Sequence, residues 1–488
     1  MKPKSLITAY ENVSIMFPPP RHALSIALLS VCSLAYASTI TTDQNASSIS
    51  DISTAELIFG ATDLTLSVID DVSSVGISSG ASGFVSNIDI AEGKTFTITS
   101  AGSSAKPVVG FSSSTLNVTG SGSLNFSATG ERFLRGNINF YTDVSMGGGF
   151  SATGSVINFY GDTSVKGNYS GGANATVNFK SGSNTVLTHS YGSWGANSFT
   201  RVESGASLTA SSLRIINTAD NFDKVSQSMN IAGSVTITEK LNTKAWNGTV
   251  GDDVSVFASM LNIEKGGSLV VKNDDSSKIS NTVIVTSMVN DGYVDVSKKL
   301  YLSGMSFLTL KEGSTLLTDG ATEQKYSYID IAGVAYSANR RPVVLDISKS
   351  EVSTAYVTVI IEGAQELGGF SFYKDSALTL DFAEGASLHI GEFTSIAGYQ
   401  GDFVVDLTGS WGVNNLRIDG PSRDYIADII WRHSGNDMIE GVDFEIVEIA
   451  AEDGGGFWLN AIVPEPASIA ALFGAMALAF ATWRKRRA

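Results

Sequence analysis

The sequence predicts an all-β body, an irregular parallel β-helix or solenoid, with a cleaved N-terminal signal peptide before it and one C-terminal transmembrane helix after it. Three observations lead there: a composition of short-strand and turn residues, a repeat near 20 residues, and apolar runs that stand apart at the two ends.

Of 488 residues, 16% are charged, against roughly 25% in ordinary soluble domains. Hydrophobic residues make up 43%, too many for a disordered chain, which combines low hydrophobicity with high net charge. There are 49 glycines, and roughly one residue in seven is serine. Gly, Ser, Asn and Asp interleaved with β-branched and aliphatic residues are the pattern of short strands joined by tight turns.

The clearest repeat sets Ile138-Asn139-Phe140-Tyr141-Thr142-Asp143 against Ile157-Asn158-Phe159-Tyr160-Gly161-Asp162, an offset of 19. Val177-Asn178-Phe179 follows 20 residues after Ile157, and Leu124-Asn125-Phe126 precedes the set by 14. A period near 20 is one turn of a solenoid, in which equivalent residues lie one strand spacing, roughly 4.8 Å, apart. The repeat predicts an internal row of Phe126, Phe140, Phe159 and Phe179. Asn125, Asn139, Asn158 and Asn178 then face the other way, either bonded as an amide ladder or simply solvated.

A looser motif of acid, Gly, small polar residue and apolar alternation occurs at Glu92-Gly93, Glu203-Ser204-Gly205, Glu264-Lys265-Gly266, Glu312-Gly313 and Glu384-Gly385. Each is read as a corner feeding a strand, with Gly supplying the positive φ of a tight turn. A catalytic role for the recurrent Glu does not fit, because an active site is not copied five times.

No turn of such a stack buries its apolar face alone, and its open ends need caps. The body is placed at 38–392, with Ser38–Ile58 as the first cap. Residues 393–462, which hold Trp411, Trp431 and Trp458, are placed as a closing cap or small β module. A β-sandwich array is the alternative fold.

At the N-terminus, Arg21 and His22 precede an apolar run from Ala23 to Leu34, followed by Ala35-Tyr36-Ala37. A basic edge, an apolar stretch too short to span and an A-x-A site make residues 1–37 a secretory signal peptide, cut after Ala37 by this reading. Met16 is an alternative start. The single cysteine, Cys32, lies in that leader, so the mature body has no disulfide or thiol chemistry. The bulky Val31 before it argues against a lipidated cysteine.

At the C-terminus, 463–488 form a tail: Pro464, Glu465 and Pro466, then 17 uncharged residues from Ala467 to Trp483, then Arg484, Lys485, Arg486 and Arg487. Seventeen residues is the short limit for a spanning helix. The basic cluster stays on the cytoplasmic side, which puts the body outside.

This order of features resembles the PEP-CTERM sorting signal of Gram-negative bacteria that make exopolysaccharide. The resemblance covers about 25 residues. It implies export by Sec-type machinery, recognition by an exosortase (a multipass membrane peptidase) and cleavage near Pro464-Glu465-Pro466. An uncut C-terminal anchor is the alternative. The implied location is the inner membrane, at least transiently, and then the cell surface or extracellular matrix. In style alone, Ile49 to Leu407 resembles the passenger regions of autotransporter-type adhesins, which implies a right-handed parallel β-helix. The C-terminal membrane barrel of a true autotransporter is missing from the sequence.

Seven bases (Lys2, Lys4, Arg21 and the four at the end) and two acids (Glu11, Glu465) lie in the leader and tail. Removing them from totals of 32 and 48 leaves 25 bases and 46 acids, so the body carries a net charge near −21. Such a surface repels nucleic acid and anionic lipid and favours solubility.

No constellation for chemistry stands out. His22, His189, His389 and His433 lack paired spacing for zinc. Gly76-Ile77-Ser78-Ser79-Gly80 matches the nucleophile elbow, but that motif needs a strand-to-helix turn and a downstream acid and histidine. Ser103-Ser104-Ala105-Lys106 matches S-x-x-K without its partner motifs. The adjacent acids Asp252, Asp253, Asp274 and Asp275 read as solvated turns. Thr95, Thr97 and Thr99 form a T-x-T row that does not recur at the solenoid period, as ice binding would require. No metal, cofactor or catalytic residue is expected. The expectation is a non-catalytic structural or adhesive envelope protein whose partners are the export machinery, an exosortase and extracellular polysaccharide. A polysaccharide-acting enzyme or a glycan-binding protein is the alternative.

Overall fold

The computed structural model describes residues 36–193, 197–215, 227–238, 254–272, 282–297, 299–331, 355–372, 376–395, 403–462 and 476. The chain divides into two compact units, Met1–Tyr36 and Ala37–Ala488. All of the first unit except Tyr36 lies outside the described residues.

The second unit is all-β, with long parallel sheets compatible with a β-solenoid. Its strands stack in three columns, most strands pairing with a counterpart one rung earlier and one rung later. One column runs from Gln44–Asn45 through Leu64–Val68 and Val85–Ile90 to Val404–Gly409 and Ile430–His433, every pairing parallel. A second includes Thr95–Ile98, Ser123–Phe126, Asp143–Met146 and Thr163–Val165. A third includes Ala55–Phe59, Gly76–Ser79, Phe150–Ala152 and Tyr169–Gly171. Parallel pairing continues through Ser387–Ser395 and on to His433, so the stack does not stop at 392.

Alternation explains which residues turn inward. Leu64–Val68 and Val85–Ile90 bury every second side chain, as a half-buried strand must. Stacked rungs bring like residues together. The rings of Phe140 and Phe159 stack at 5.3 Å, and those of Phe159 and Phe179 at 5.5 Å. Phe126 is not part of this row. It sits in the second column, opposite Ile98 and Met146, and meets Phe140 edge-on across the core. The offset of 14 explains the misplacement: it is less than one rung, so the repeated tripeptide lands on a neighbouring sheet.

The five acid-Gly corners share one turn. The N–H of Lys94, Ala206, Gly267, Ser314 and Ala386 each bonds the carbonyl three residues back. Gly93, Gly205, Gly266, Gly313 and Gly385 hold φ between +68° and +87°, as the third position of a type II turn requires.

One interruption is bridged by a side chain. The second column loses direct pairing after Thr315–Leu317. Gln324 in the 3-10 turn Gln324–Tyr326 takes its place, accepting from Leu316 N at 2.7 Å and donating to Gln365 Oε1 at 2.9 Å.

Among the described residues, antiparallel pairing is found at the C-terminal end. Phe444–Glu448 and Phe457–Ala461 form an antiparallel pair, and the latter docks on Leu416–Ile418. The indole N–H of Trp411 bonds Leu459 O, and that of Trp431 bonds Ile426 O. Both rings are buried with their polar edge satisfied.

Candidate functional site

Pro464, Glu465, Pro466, Arg484, Lys485, Arg486, Arg487 and Ala35 lie outside the described residues, as do Asp252, Asp253, Asp274 and Asp275. Ala37 is exposed in the strand Tyr36–Ile40. His22 and the His189 side chain lie outside the described residues, and His389 and His433 stand in different columns. His389 contacts Glu366 Oε1 at 2.9 Å and approaches Asp419 Oδ1 at 2.8 Å, the second a close contact without hydrogen-bond alignment. His433 instead sits edge-on to Trp411. Among the described residues no group of three or more His, Cys, Asp or Glu could hold a metal.

Two sequence motifs meet in one cleft of about 340 Å³, lined by Glu56, Ser78, Ser79, Ser82, Lys106 and Ser112 among others. Ser78 Oγ donates to Glu56 Oε1 at 3.0 Å, and Lys106 Nζ lies 2.9 Å from Glu56 Oε2. The Gly76–Ser79 strand is not followed by a helix, so the strand-to-helix turn of a nucleophile elbow is missing. A serine nucleophile needs a base that a third group orients. Glu56 is instead held in an ion pair by Lys106. The arrangement offers hydroxyl and charged groups to a polar ligand. Glu56 carried no motif of its own, so only the fold could add it to the serine and lysine.

The outward face of the first column carries an amide ladder. Asn117 Nδ2 donates to Asn87 Oδ1 at 3.0 Å, Asn139 to Asn117 at 2.8 Å, Asn158 to Asn139 at 2.7 Å and Asn178 to Asn158 at 2.7 Å. Asn125 stands elsewhere, in the second column, where its Oδ1 accepts from Ser145 Oγ. Asn87 and Asn117 take its place, although neither lies in an Asn-Phe pair. At its far end the ladder reaches Arg201, opposite Asn178, whose guanidinium pairs with Glu203 and Glu264 at 3.0 and 2.9 Å. Burial pushes the Glu203 carboxyl up, but the hydrogen bonds from Arg201 and Lys180 outweigh it and hold the group below its ordinary value.

Acids elsewhere on the rungs serve the backbone. Asp43, Asp71, Asp143 and Asp162 each accept an amide N–H from the next rung at 2.8 or 2.9 Å. Satisfied in this way, they keep successive turns in register.

Asp330 differs from these four aspartates. It is 1% exposed, with Lys299 Nζ 3.1 Å from Oδ2 as an ion pair that lacks hydrogen-bond alignment there. Lys299 also reaches Asp319 at 3.6 Å. Burial pushes the Asp330 carboxyl up to about 6 against the pull of Lys299. A carboxyl whose folded value lies above its unfolded one stabilises most below the unfolded value, and that stability fades as pH rises through about 6. Acidification from about pH 7 to about pH 4 is therefore expected to add up to about 3 kcal/mol from this group. Urea unfolding of wild type and Asp330→Asn across that window checks it. Parallel pH profiles would refute it.

No protein-family model, curated protein or solved structure matches the chain.

Proposed function

We propose that this chain is an exported, non-catalytic structural or adhesive protein of the cell envelope, its body a right-handed parallel β-helix and its C-terminus a PEP-CTERM sorting tail. The observation that carries the reading is the in-register parallel stack whose polar side chains bond from rung to rung, from the asparagine ladder to the aspartates on backbone amides. Side chains held this way build a stiff scaffold with repeating sides, and repetition suits multivalent contact better than a single reaction centre. The net charge near −21 supports contact with neutral or cationic partners and disfavours nucleic acid.

Export and sorting rest on the sequence: the Ala35-Tyr36-Ala37 site, the Pro464-Glu465-Pro466 motif, the uncharged run after it and Arg484 to Arg487. The compact second unit begins at Ala37, one residue before the mature start that the leader implies. Among the described residues no helix is long and apolar enough to cross a membrane, and of the tail only Met476 is described.

Mass spectrometry of the native protein tests the tail. The expected C-terminus lies near Pro464, and an intact Arg484–Arg487 terminus on every molecule would sink the cleavage. A reducing-end assay on polysaccharides tests the other half. No release is expected, and turnover of any of them would favour the enzyme reading.

A further inference from the structure

The asparagine ladder shares its outward face with a pair of tyrosines. Tyr141 and Tyr160 directly follow the paired residues Phe140 and Phe159, so they lie two positions from Asn139 and Asn158, on the same side of the sheet. Their rings stack at 4.3 Å with planes 17° apart. Tyr141 is 47% exposed. Its counterpart one rung earlier is Thr119, followed by Gly120. The column thus steps from an aromatic ring to a short side chain, and among the described residues Tyr160 is the one ring stacked on Tyr141.

The adjoining amides have hydrogen-bonding capacity to spare. A carboxamide has two N–H groups and two acceptor lone pairs. Asn117 and Asn139 each use one N–H toward the rung before and one lone pair toward the rung after. Each keeps one donor and one acceptor, and both residues are only half-buried. The spare pairs recur at one strand spacing, roughly 4.8 Å. Along the tyrosine column the flanking charges are Asp89 before Thr119 and Lys180 after Tyr160, so the stretch between them is uncharged.

We infer that this face is a binding site for a neutral glycan. A pyranose ring stacks on the open face of Tyr141, above Thr119, and its hydroxyls pair with the spare N–H and carbonyl of Asn117 and Asn139. A hydroxyl donates and accepts at one atom, which is what each amide offers. A polyanion is disfavoured by the charge of the body. The inference deepens the adhesive reading above by naming its ligand class and site.

Titration calorimetry of the full chain in detergent, with cellohexaose, chitohexaose and hexagalacturonate as probes, tests it. At least one neutral hexaose is expected to bind and the uronate to bind more weakly. Tyr141→Ala should weaken binding at least about tenfold, while Tyr141→Phe, which keeps the ring, should stay within about twofold. Thr119→Tyr places a protein ring on the open face and should also abolish binding, which guards against a folding artefact in the alanine variant. Wild-type affinity in both Tyr141→Ala and Thr119→Tyr, no binding of either neutral hexaose, or tighter binding of the uronate would each overturn the site. Loss of the site in those ways leaves the scaffold and sorting reading standing. Release of reducing ends from a bound hexaose would instead overturn the non-catalytic reading and leave the site in place.

Discussion

Gly136→Ala is expected to destabilise the body by about 3 kcal/mol or more, enough to lower its accumulation in the envelope. Gly136 lies within the strand Arg132–Phe140 at φ +119°. A Cβ placed there would sit 2.2 Å from the carbonyl oxygen of Phe111. The cause lies in the partner strand. Phe111 faces Gly136, yet the next pair is Thr115 with Asn137, so residues 112–114 bulge out with Ser113 at φ +57°. Gly136 takes up the shift of register at a point where a backbone carbonyl cannot retreat without breaking the sheet. Gly93→Ala is the control. It sits at φ +68°, and a Cβ added there would meet nothing within 4 Å, so only backbone strain of about 1 kcal/mol applies. Chemical unfolding of the two variants side by side measures the difference. Equal, mild losses would mean that the close approach at Phe111 does not exist.

Arg132→Ala is expected to cost about 2 to 4 kcal/mol. The Arg132 side chain is fully buried, and the fold gives it backbone carbonyls in place of a carboxylate. Its guanidinium donates to Gly149 O and Phe126 O, each at 3.2 Å, and to Gly130 O. Burial lowers its proton affinity from the ordinary value. Truncation would take the guanidinium donor from Gly130 O, while Gly149 O and Phe126 O keep the backbone N–H of Arg132 and Gly147, and would leave a void in a core that packs closely. Arg132→Lys should recover only part of the loss, because one ammonium lacks the planar fork that reaches separated acceptors. Thermal unfolding of the three proteins provides the comparison. A lysine variant as stable as wild type would show that a single positive charge suffices and that the fork is not needed.

Much of this was written in the sequence in local terms. The acid-Gly corners were legible because positive φ is a property of one residue and its neighbours: Gly93, Gly205, Gly266, Gly313 and Gly385 all adopt it. The stacking of Phe140, Phe159 and Phe179 was legible because offsets of 19 and 20 residues correspond to whole rungs. The asparagine ladder was half legible. Asn139, Asn158 and Asn178 follow the same offset, but their extension through Asn117 and Asn87 crosses a bulge at residues 112–114 that shifts the spacing. Asn125 was misplaced for the converse reason, since an identical local motif occurs on a different sheet.

The cleft of Glu56, Ser78 and Lys106 and the buried Asp330 were invisible from sequence. Their members come from separate rungs and are ordinary one at a time. Asp330 is one of many acids until Lys299 and the surrounding strands remove it from water.

By itself, then, the sequence determined the strand-and-turn character of the body, the corners, the rung length and the two segments that point to export, because each depends on composition or on contacts within one rung. Only the tertiary structure decided which asparagines form the ladder, which face of Tyr141 stays open, which arginine is buried without an acid and where the parallel stack gives way to antiparallel pairing. Those outcomes depend on which residues are superposed when rungs of unequal length are stacked, and because turns and bulges absorb the differences, sequence spacing alone does not name the partner.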